Sequence, residues 1–214
     1  MKNILVIVAH PDDETLGCGA TIKKLTEEGN YVKLITFTDG EGARENNEDR
    51  TSIIKDVCQY LGINDFVCGN FPDNKMDSVP LLDLVKFIEK NVDFQPDIIY
   101  THWEHCNNVD HALVYKATIT AFRPQNGKNI KIYSFFVPSS SDYNPTYYFN
   151  GNIYENVENF YNYKKECLLN FYKNELREYP HTRSIENIEN LMKVWGSEVG
   201  LRYAEKFILV RSIQ

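Results

Sequence analysis

Residues 4–14 read ILVIVAHPDDE, and this stretch decides which fold class we expect. Its first six residues, Ile4 to Ala9, are apolar and rich in β-branched side chains. Such a continuous run is typical of a strand that is buried on both faces in a parallel sheet. The run ends abruptly at a polar cluster, His10 to Glu14. We therefore expect a central first strand with polar side chains at its carboxyl end.

Apolar runs alternate with amphipathic stretches up to about residue 137. The further predicted strands are Tyr31–Thr38, Asp65–Cys68, Asp97–Thr101 and Ile130–Val137. The predicted helices are Thr15–Glu28, Arg50–Leu61, Leu81–Val92 and His111–Phe122. This alternation predicts an α/β fold, with a Rossmann-like, doubly wound and mostly parallel sheet.

The pattern changes after residue 137. A polar and aromatic loop follows, and helices are predicted over Glu155–Glu178 and Ser184–Glu205, with a last strand over Lys206–Arg211. No linker divides the sequence, so we expect a single domain over residues 1–214. Within it, residues 137–183 are predicted to form an irregular loop and helix on the substrate side.

The composition excludes several classes of protein. The hydrophobic fraction is 43% and the charged fraction 25%, as in globular proteins. The net charge of -7 repels phosphate backbones and anionic lipid, so nucleic acid is not an expected partner. No stretch approaches the ~20 apolar residues of a membrane span, and the first apolar run is too short for a signal peptide. We expect a cytoplasmic protein without membrane insertion.

The 5 cysteines form no C-x-x-C pair, and we interpret them as reduced thiols.

Polar clusters follow three of the predicted strands, at residues 10–14, 38–41 and 102–111. Ligands of open α/β sheets bind at the carboxyl ends of the strands, so these clusters should share one crevice. His10 and Asp13 offer zinc donors across a turn stiffened by proline. A catalytic zinc site commonly has three protein ligands and a water, and His111 is the candidate third ligand.

The two neighbouring acids can have different tasks. With Asp13 on a metal, Asp12 stays free to take a proton from water and to pass it to a departing amine. An acidic run before a helix also fits N-terminal capping. For Glu14, capping or support of neighbouring side chains is as well founded as direct chemistry.

AHPDDE after a first strand resembles the signature of the N-acetylglucosaminylphosphatidylinositol de-N-acetylase family, also called the LmbE-like deacetylases. The resemblance extends over nearly the whole chain. The other similar segments are TDGEG at 38–42, FPD at 71–73, NNVDHALV at 107–114, PSSSD at 138–142 and the tail that begins with PHTRS at 180–184.

The resemblance implies one divalent metal per chain, usually zinc (Zn2+), with other divalent metals left open. It implies hydrolysis of an N-acyl group, most often the acetyl group of a glucosamine-type sugar that is free, nucleotide-linked or glycan-linked. By motif position, the implied metal ligands are His10, Asp13 and His111, and the implied general base is Asp12. Arg50 and Asp73 match positions that contact substrate in relatives.

The second motif departs from the family pattern. Many relatives carry His-x-Asp-His, and this chain has Asn108 where the first His stabilises the oxyanion. Either the metal and Asn108 suffice, or His181 or His105 supplies the missing donor. Such a donor is worth ~3–4 kcal/mol of barrier. Asp110 is expected to orient a neighbouring polar group.

Some questions stay open at this point. Arg183 fits a contact to a phosphate or a sugar hydroxyl as well as it fits a surface ion pair. For His102, a role behind the metal ligands and a plain loop position are equally well founded. The substrate could carry a formyl or larger acyl group, and homo-oligomer formation is not readable. A non-catalytic sugar- or nucleotide-binding module is disfavoured because HPDDE stands where such modules have a glycine-rich turn.

Overall fold

This computed structural model describes residues 1–39, 50–124 and 129–213, and it describes only the backbone of residues 50 and 51. In these residues the fold has seven strands and six helices. The strands are β1 (Asn3–Val8), β2 (Tyr31–Thr36), β3 (Asp65–Cys68), β4 (Ile98–His102), β5 (Lys131–Phe135), β6 (Ile153–Asn156) and β7 (Ala204–Arg211). The helices are α1 (Asp13–Glu27), α2 (Arg50–Leu61), α3 (Leu81–Asn91), α4 (Val109–Ala121), α5 (Tyr161–Phe171) and α6 (Ile185–Ser197). Short 3-10 turns lie at Met76–Ser78 and Lys173–Glu175.

All seven strands join one sheet in the order β3-β2-β1-β4-β5-β7-β6. Neighbours from β3 to β5 pair in parallel, whereas β7 pairs antiparallel with both β5 and β6. The predicted α/β class with a mostly parallel, doubly wound sheet is therefore confirmed.

Strand β1 lies between two apolar layers, one on each face of the sheet. Ile4, Val6 and Val8 face the layer formed with α1, α2, α5 and α6. Leu5 and Ile7 face the opposite layer, formed with α3 and α4. All five side chains are fully buried, and each burial stabilises the fold by about 1.5–3 kcal/mol. This two-sided packing fixes where β1 ends, and hence where the polar turn after it lies.

Two of the predicted carboxyl-terminal elements were wrong. The helix predicted over Glu155–Glu178 begins instead as strand β6, and α5 covers only its middle part. The half-buried residues of β6 pair with β7, a partner that lies far along the chain, so local periodicity does not reveal the strand. The helix predicted over Ser184–Glu205 ends at Ser197, because Gly200 takes a φ of 76° and the N–H of Leu201 closes onto the carbonyl of Gly196.

Helix α1 is kinked at Cys18, whose φ of -149° is not helical. A fully buried ion pair is inserted into the helix at this point. Lys164 from α5 donates to the carbonyl of Leu16 at 2.8 Å and to Glu205 of β7 at 2.7 Å. The Glu205 carboxylate accepts the backbone N–H groups of residues 20 and 21, at 3.3 and 2.7 Å. The kink therefore joins the first helix to α5 and to the last strand.

Among the described residues, the helices are all too short or too polar to cross a lipid bilayer.

Candidate active site

The polar turn between β1 and α1 is held in a strained conformation. Asp12 has a φ of 109°, which costs a non-glycine residue ~1–3 kcal/mol. The buried Glu14 carboxylate accepts the backbone N–H of Asp12 at 3.1 Å and the hydroxyl of Tyr172 at 2.9 Å. Glu14 thus contacts the turn from its buried side, and its predicted role as a cap or a support of neighbouring side chains stays a prediction.

Three donor atoms from this turn and from α4 form a nearly equilateral triangle. The Asp13 Oδ2 atom lies 3.2 Å from both His10 Nδ1 and His111 Nε2, and those two nitrogens are 3.3 Å apart. A tetrahedral zinc ion with bonds of about 2.0–2.1 Å would hold its ligand atoms about 3.3 Å apart. The geometry and the chemistry of this donor triangle therefore fit a divalent metal.

The second nitrogen of His10 faces two carboxylates. His10 Nε2 lies 3.0 Å from Asp110 Oδ2 and 3.1 Å from Asp73 Oδ1. Asp110 is itself fixed by the backbone N–H groups of Asn74, at 2.7 Å, and Met76, at 3.0 Å. A carboxylate behind a metal-binding histidine sets its tautomer and ring orientation.

The second nitrogen of His111 has a different partner. Its Nδ1 atom lies 3.1 Å from the thiol sulfur of Cys106, which also contacts Ser141 Oγ at 3.4 Å. The ring of His102 stacks on His111, with centroids 3.9 Å apart. His102 Nε2 accepts the N–H of Ala9 at 2.9 Å, so this histidine also holds the backbone directly after β1.

Opposite charges and burial shift the pKa values of the side chains at the site. Burial opposes the charged form of His10, but the carboxylates of Asp110, Asp13 and Asp73 outweigh it and raise its pKa well above the usual value. Burial also opposes ionisation of Asp13, yet His111 and His102 hold its pKa well below the usual value. The donor triangle thus concentrates negative charge on Asp13 where a cation would sit.

Asp12 lies next to the donor triangle and outside it. Its Oδ2 accepts from Arg183 Nη1 at 3.1 Å, and Arg183 also lies 3.8 Å from Glu175. Burial raises the pKa of Asp12 to about 8, although the Arg183 guanidinium opposes this shift. The structure thus gives Arg183 a contact with Asp12, and its predicted contact with substrate stays a prediction.

The donor triangle opens into a polar cavity of about 280 Å³. Residues from five parts of the chain line it: His10, Pro11, Asp12, Asp13, Asp73, Asn74, Asn108, His111, Ser139, Ser140, Glu175, Arg177, His181 and Arg183.

Two candidates for the missing oxyanion donor differ in how their hydrogen-bonding groups are used. The Asn108 Oδ1 atom caps α4 by accepting the N–H of Asp110 at 2.9 Å, and its Nδ2 donates to Asn74 at 3.0 Å. His181 Nδ1 accepts the backbone N–H of Arg183 at 3.0 Å. The neutral His181 ring therefore carries its proton on Nε2, which leaves a donor on the cavity wall.

Other predicted residues lie apart or outside the described part. His105 stacks on Tyr147, with centroids 3.9 Å apart, and is absent from the cavity lining in the described residues. The Arg50 side chain and residues 40–41 of the predicted second cluster lie outside the described residues. Thr38 from that cluster is buried, with its hydroxyl donating to the carbonyl of Ala9 at 3.2 Å.

Sequence reasoning missed several residues of the site. Cys106 stands five positions before His111 in the predicted polar loop, and this proximity was the available signal. Glu175 and Arg177 were not identified as site residues because the segment that contains them, Glu155–Glu178, was predicted to be a helix. Asn74 follows the FPD segment directly, but its position in the site depends on contacts to Asp110 and Asn108, which lie far along the chain.

The sequence is similar to a known protein family and to several curated proteins. Residues 5–122 match the family described as "PIG-L: GlcNAc-PI de-N-acetylase". The "Uncharacterized deacetylase YaiS" of Escherichia coli is 31% identical over 128 residues, which cover 57% of this chain and 69% of that protein. A 1D-myo-inositol 2-acetamido-2-deoxy-alpha-D-glucopyranoside deacetylase of Thermomonospora curvata is 29% identical, over 56% of this chain and 52% of that protein.

Among solved structures, the N,N'-diacetylchitobiose deacetylase of Pyrococcus horikoshii superimposes with a TM-score of 0.74. The sequences are 20% identical, and the match covers 98% of this chain and 84% of that one. At this identity the likeness shows a shared fold. The matched segments thus span 69% of the first curated relative and 52% of the second. The structural match includes nearly the whole of this chain.

Proposed function

Because this chain belongs to the PIG-L family of GlcNAc-PI de-N-acetylases, we propose that it is a metal-dependent hydrolase that removes the N-acetyl group of an amino sugar. The donor triangle in the lining of a polar cavity carries this proposal, since a set of possible metal ligands lies next to the Asp12 carboxylate, which is outside that set. A sugar with a different N-acyl group, such as formyl, remains the alternative substrate.

His10, Asp13 and His111 would hold the metal, which we take to be zinc. When bound, such an ion polarises the amide carbonyl and makes water a stronger nucleophile at neutral pH. The carboxylates behind His10 and the thiol behind His111 keep both rings turned toward the common centre.

Asp12 acts as the general base and then as the general acid. Arg183 holds one of its oxygens, while the other, Oδ1, accepts no hydrogen bond from the described residues. The free oxygen takes the proton of the attacking water and returns it to the amine as acetate departs. The strained turn at Asp12 fixes the direction in which this carboxylate projects.

His181 donates from Nε2 to the developing oxyanion. Asn108 is the weaker candidate, because both ends of its amide already hydrogen-bond within the protein. A single donor of this kind contributes a factor of about 10²–10³ in rate. We expect His181→Ala to lose activity by that factor, and Asn108→Ala to lose less, in assays of acetate release.

The experiment that tests the proposal separates metal binding from proton transfer. Zinc content and acetate release are measured for wild type, Asp12→Asn and His111→Ala with a panel of N-acetyl amino sugars. Asp12→Asn should keep its zinc and lose turnover, whereas His111→Ala should lose zinc. A wild type that binds zinc but releases no acetate from any sugar would exclude the reaction, and zinc retained by His111→Ala would exclude that ligand.

A further inference from the structure

We propose that Tyr172, directly after α5, is a positioning residue of the catalytic centre. Its hydroxyl holds the Glu14 carboxylate, and this carboxylate holds the strained backbone of Asp12. The inference rests on the proposed function, in which Asp12 transfers the protons. It adds a residue that is absent from the cavity lining in the described residues and stands 158 positions beyond Glu14 in the chain.

The backbone of Asp12 needs a constraint from outside the turn. A φ of 109° strains a non-glycine residue, and such a conformation persists only where its surroundings enforce it. The Asp12 N–H donates to Glu14 Oε2 at 3.1 Å. The direction of this N–H and the angle φ together set where the Cα–Cβ bond of Asp12 points. The orientation of the Glu14 carboxylate therefore controls the direction in which the Asp12 side chain projects.

Two hydroxyl groups orient the Glu14 carboxylate. Its Oε1 atom accepts from the hydroxyl of Thr15 at 2.7 Å and from that of Tyr172 at 2.9 Å. Thr15 is the next residue in the chain, so its hydroxyl moves together with the turn and cannot fix the turn in space. Tyr172 belongs to another element, and its hydroxyl is therefore the donor that ties the carboxylate to the rest of the fold.

Tyr172 is itself rigidly held and shielded from water. Its side chain is buried, and Glu14 is fully buried. Burial raises the pKa of Tyr172 well above its usual value, so the hydroxyl keeps its proton and donates it to the hydrogen bond. The backbone N–H of Tyr172 donates to the carbonyl of Leu168 at 3.1 Å, and its carbonyl accepts the N–H of Glu175 at 2.9 Å. A buried hydrogen bond between fixed groups is a strong constraint, because water does not compete for it.

Helix α5 is fixed against the beginning of α1 close to this contact. Lys164 of α5 donates to the carbonyl of Leu16 at 2.8 Å. The Cys167 Sγ atom lies 3.6 Å from the Thr15 hydroxyl. These contacts set the distance between the two helices, so that the Tyr172 hydroxyl reaches Glu14 in a defined position.

The test uses Tyr172→Phe, which removes only the hydroxyl, with the N-acetyl amino sugar that the wild type deacetylates fastest. We expect kcat to fall about tenfold with KM and zinc content unchanged, because Asp12 is misdirected in the transition state while the donor triangle stays. The fall is partial because the Thr15 hydroxyl still holds Glu14. An unchanged kcat, or a loss of zinc that accounts for the fall, would overturn the inference.

The matched control is Tyr100→Phe. Tyr100 is a buried tyrosine of β4 that packs on Phe207 and is absent from the cavity lining in the described part of the chain. This variant should keep the kcat of the wild type.

A double-mutant cycle with Glu14→Ala tests the route by which Tyr172 acts. In the Glu14→Ala background, Tyr172→Phe should have little further effect on kcat, because the carboxylate that connects Tyr172 to Asp12 is gone. An equal fall of kcat in both backgrounds would show that Tyr172 acts by another route, and would overturn the inference.

Hydrogen exchange makes the test independent of turnover and of whether Glu14→Ala folds. In mass spectrometry of the peptide 9–16, Tyr172→Phe should exchange about tenfold faster than the wild type, and Tyr100→Phe should not. If this faster exchange is found and the wild type releases no acetate, the hold on the turn stands and the proposed reaction fails. If the wild type releases acetate and Tyr172→Phe changes neither kcat nor exchange, the reaction stands and the positioning role fails.

Discussion

At the residue scale, the partner of His111 is unusual. Histidines that bind metals commonly donate their second N–H to a carboxylate, a carbonyl or water, and the proposed ligand His10 has such a carboxylate beside it. His111 instead faces a buried thiol, a weak hydrogen-bond acceptor. The stacked His102 ring supplies the orientation that a weak acceptor cannot impose alone.

We predict that Cys106→Ala weakens zinc binding by about 10–100-fold, because the His111 Nδ1–H loses its partner. Cys106→Ser, which keeps an acceptor, should recover much of the loss. Competition with a chromophoric chelator measures this. Cys58→Ala, a buried cysteine of α2, is the control and should bind zinc like the wild type. Unchanged affinity in Cys106→Ala would remove the thiol from the description of the metal site.

The sequence alone predicted those site residues that follow a strand directly. His10, Asp12 and Asp13 come at once after β1, so the carboxyl end of a buried strand indicates their position. Cys106 and Arg177 lie in loops whose paths depend on tertiary contacts. Local periodicity carries no information about such paths, and these residues were found only from the structure.

At the element scale, the kink of α1 depends on side chains from two other elements. Lys164 and Glu205 replace hydrogen bonds that a straight helix would make within itself. Removing one member leaves the other charge buried without its partner, which is strongly destabilising.

We expect Lys164→Met to lower the free energy of unfolding by about 3–5 kcal/mol, because the Glu205 carboxylate stays buried and uncompensated. The double variant Lys164→Met/Glu205→Gln should lose less than the sum of the two single variants. Urea denaturation followed by circular dichroism measures both. Strict additivity in this cycle would show that the two side chains act independently.

Helices α5 and α6 are joined by an ion pair at the surface. Lys165 of α5 lies 3.0 Å from Glu189 of α6, and Lys193 lies 2.8 Å from the same carboxylate. The hydrogen bonds from Lys193 and Lys165 lower the pKa of Glu189 to about 2.

A carboxylate with a lowered pKa stabilises the fold above its ordinary pKa, and the effect disappears as the pH falls through the lowered value. We therefore expect Glu189→Gln to have a lower Tm than the wild type at pH 7, with a difference that closes between about pH 4.5 and pH 2. Thermal denaturation across this range tests it. The difference should also shrink in high salt, and a gap that widens on acidification would refute the assignment.

Elements were predictable where their sequence period is strong. The strands and helices up to β5 follow the alternation of apolar runs, and their bounds differ from the prediction by a few residues. Strand β6 escaped because its half-buried residues are specified by pairing with β7. Tertiary pairing overrides local preference in such edge strands.

At the scale of the whole molecule, a metal in the donor triangle would link segments that are far apart in sequence. His10 and Asp13 belong to the start of the chain, and His111 lies 101 residues beyond His10. A ligand that binds only the folded chain stabilises it, by about 2.7 kcal/mol at a free concentration one hundredfold above Kd.

We predict that zinc raises the Tm of the wild type and of Asp12→Asn, and that a chelator reverses the rise. His111→Ala should show no rise, because it lacks the third donor. Differential scanning calorimetry at fixed protein concentration measures the shift. A rise of equal size in His111→Ala would mean that the stabilising ion binds elsewhere.

The contact between Glu205 and helix α1 has a consequence for how the protein is made. Glu205 is added by the ribosome 184 residues after Thr21, whose backbone it caps. Until then the nascent helix must leave these amide groups to water or to a chaperone. The kinked part of α1 should thus settle only after Glu205 has been added, and a nascent chain shorter than this lacks the contact that holds the helix behind Asp12 and Asp13.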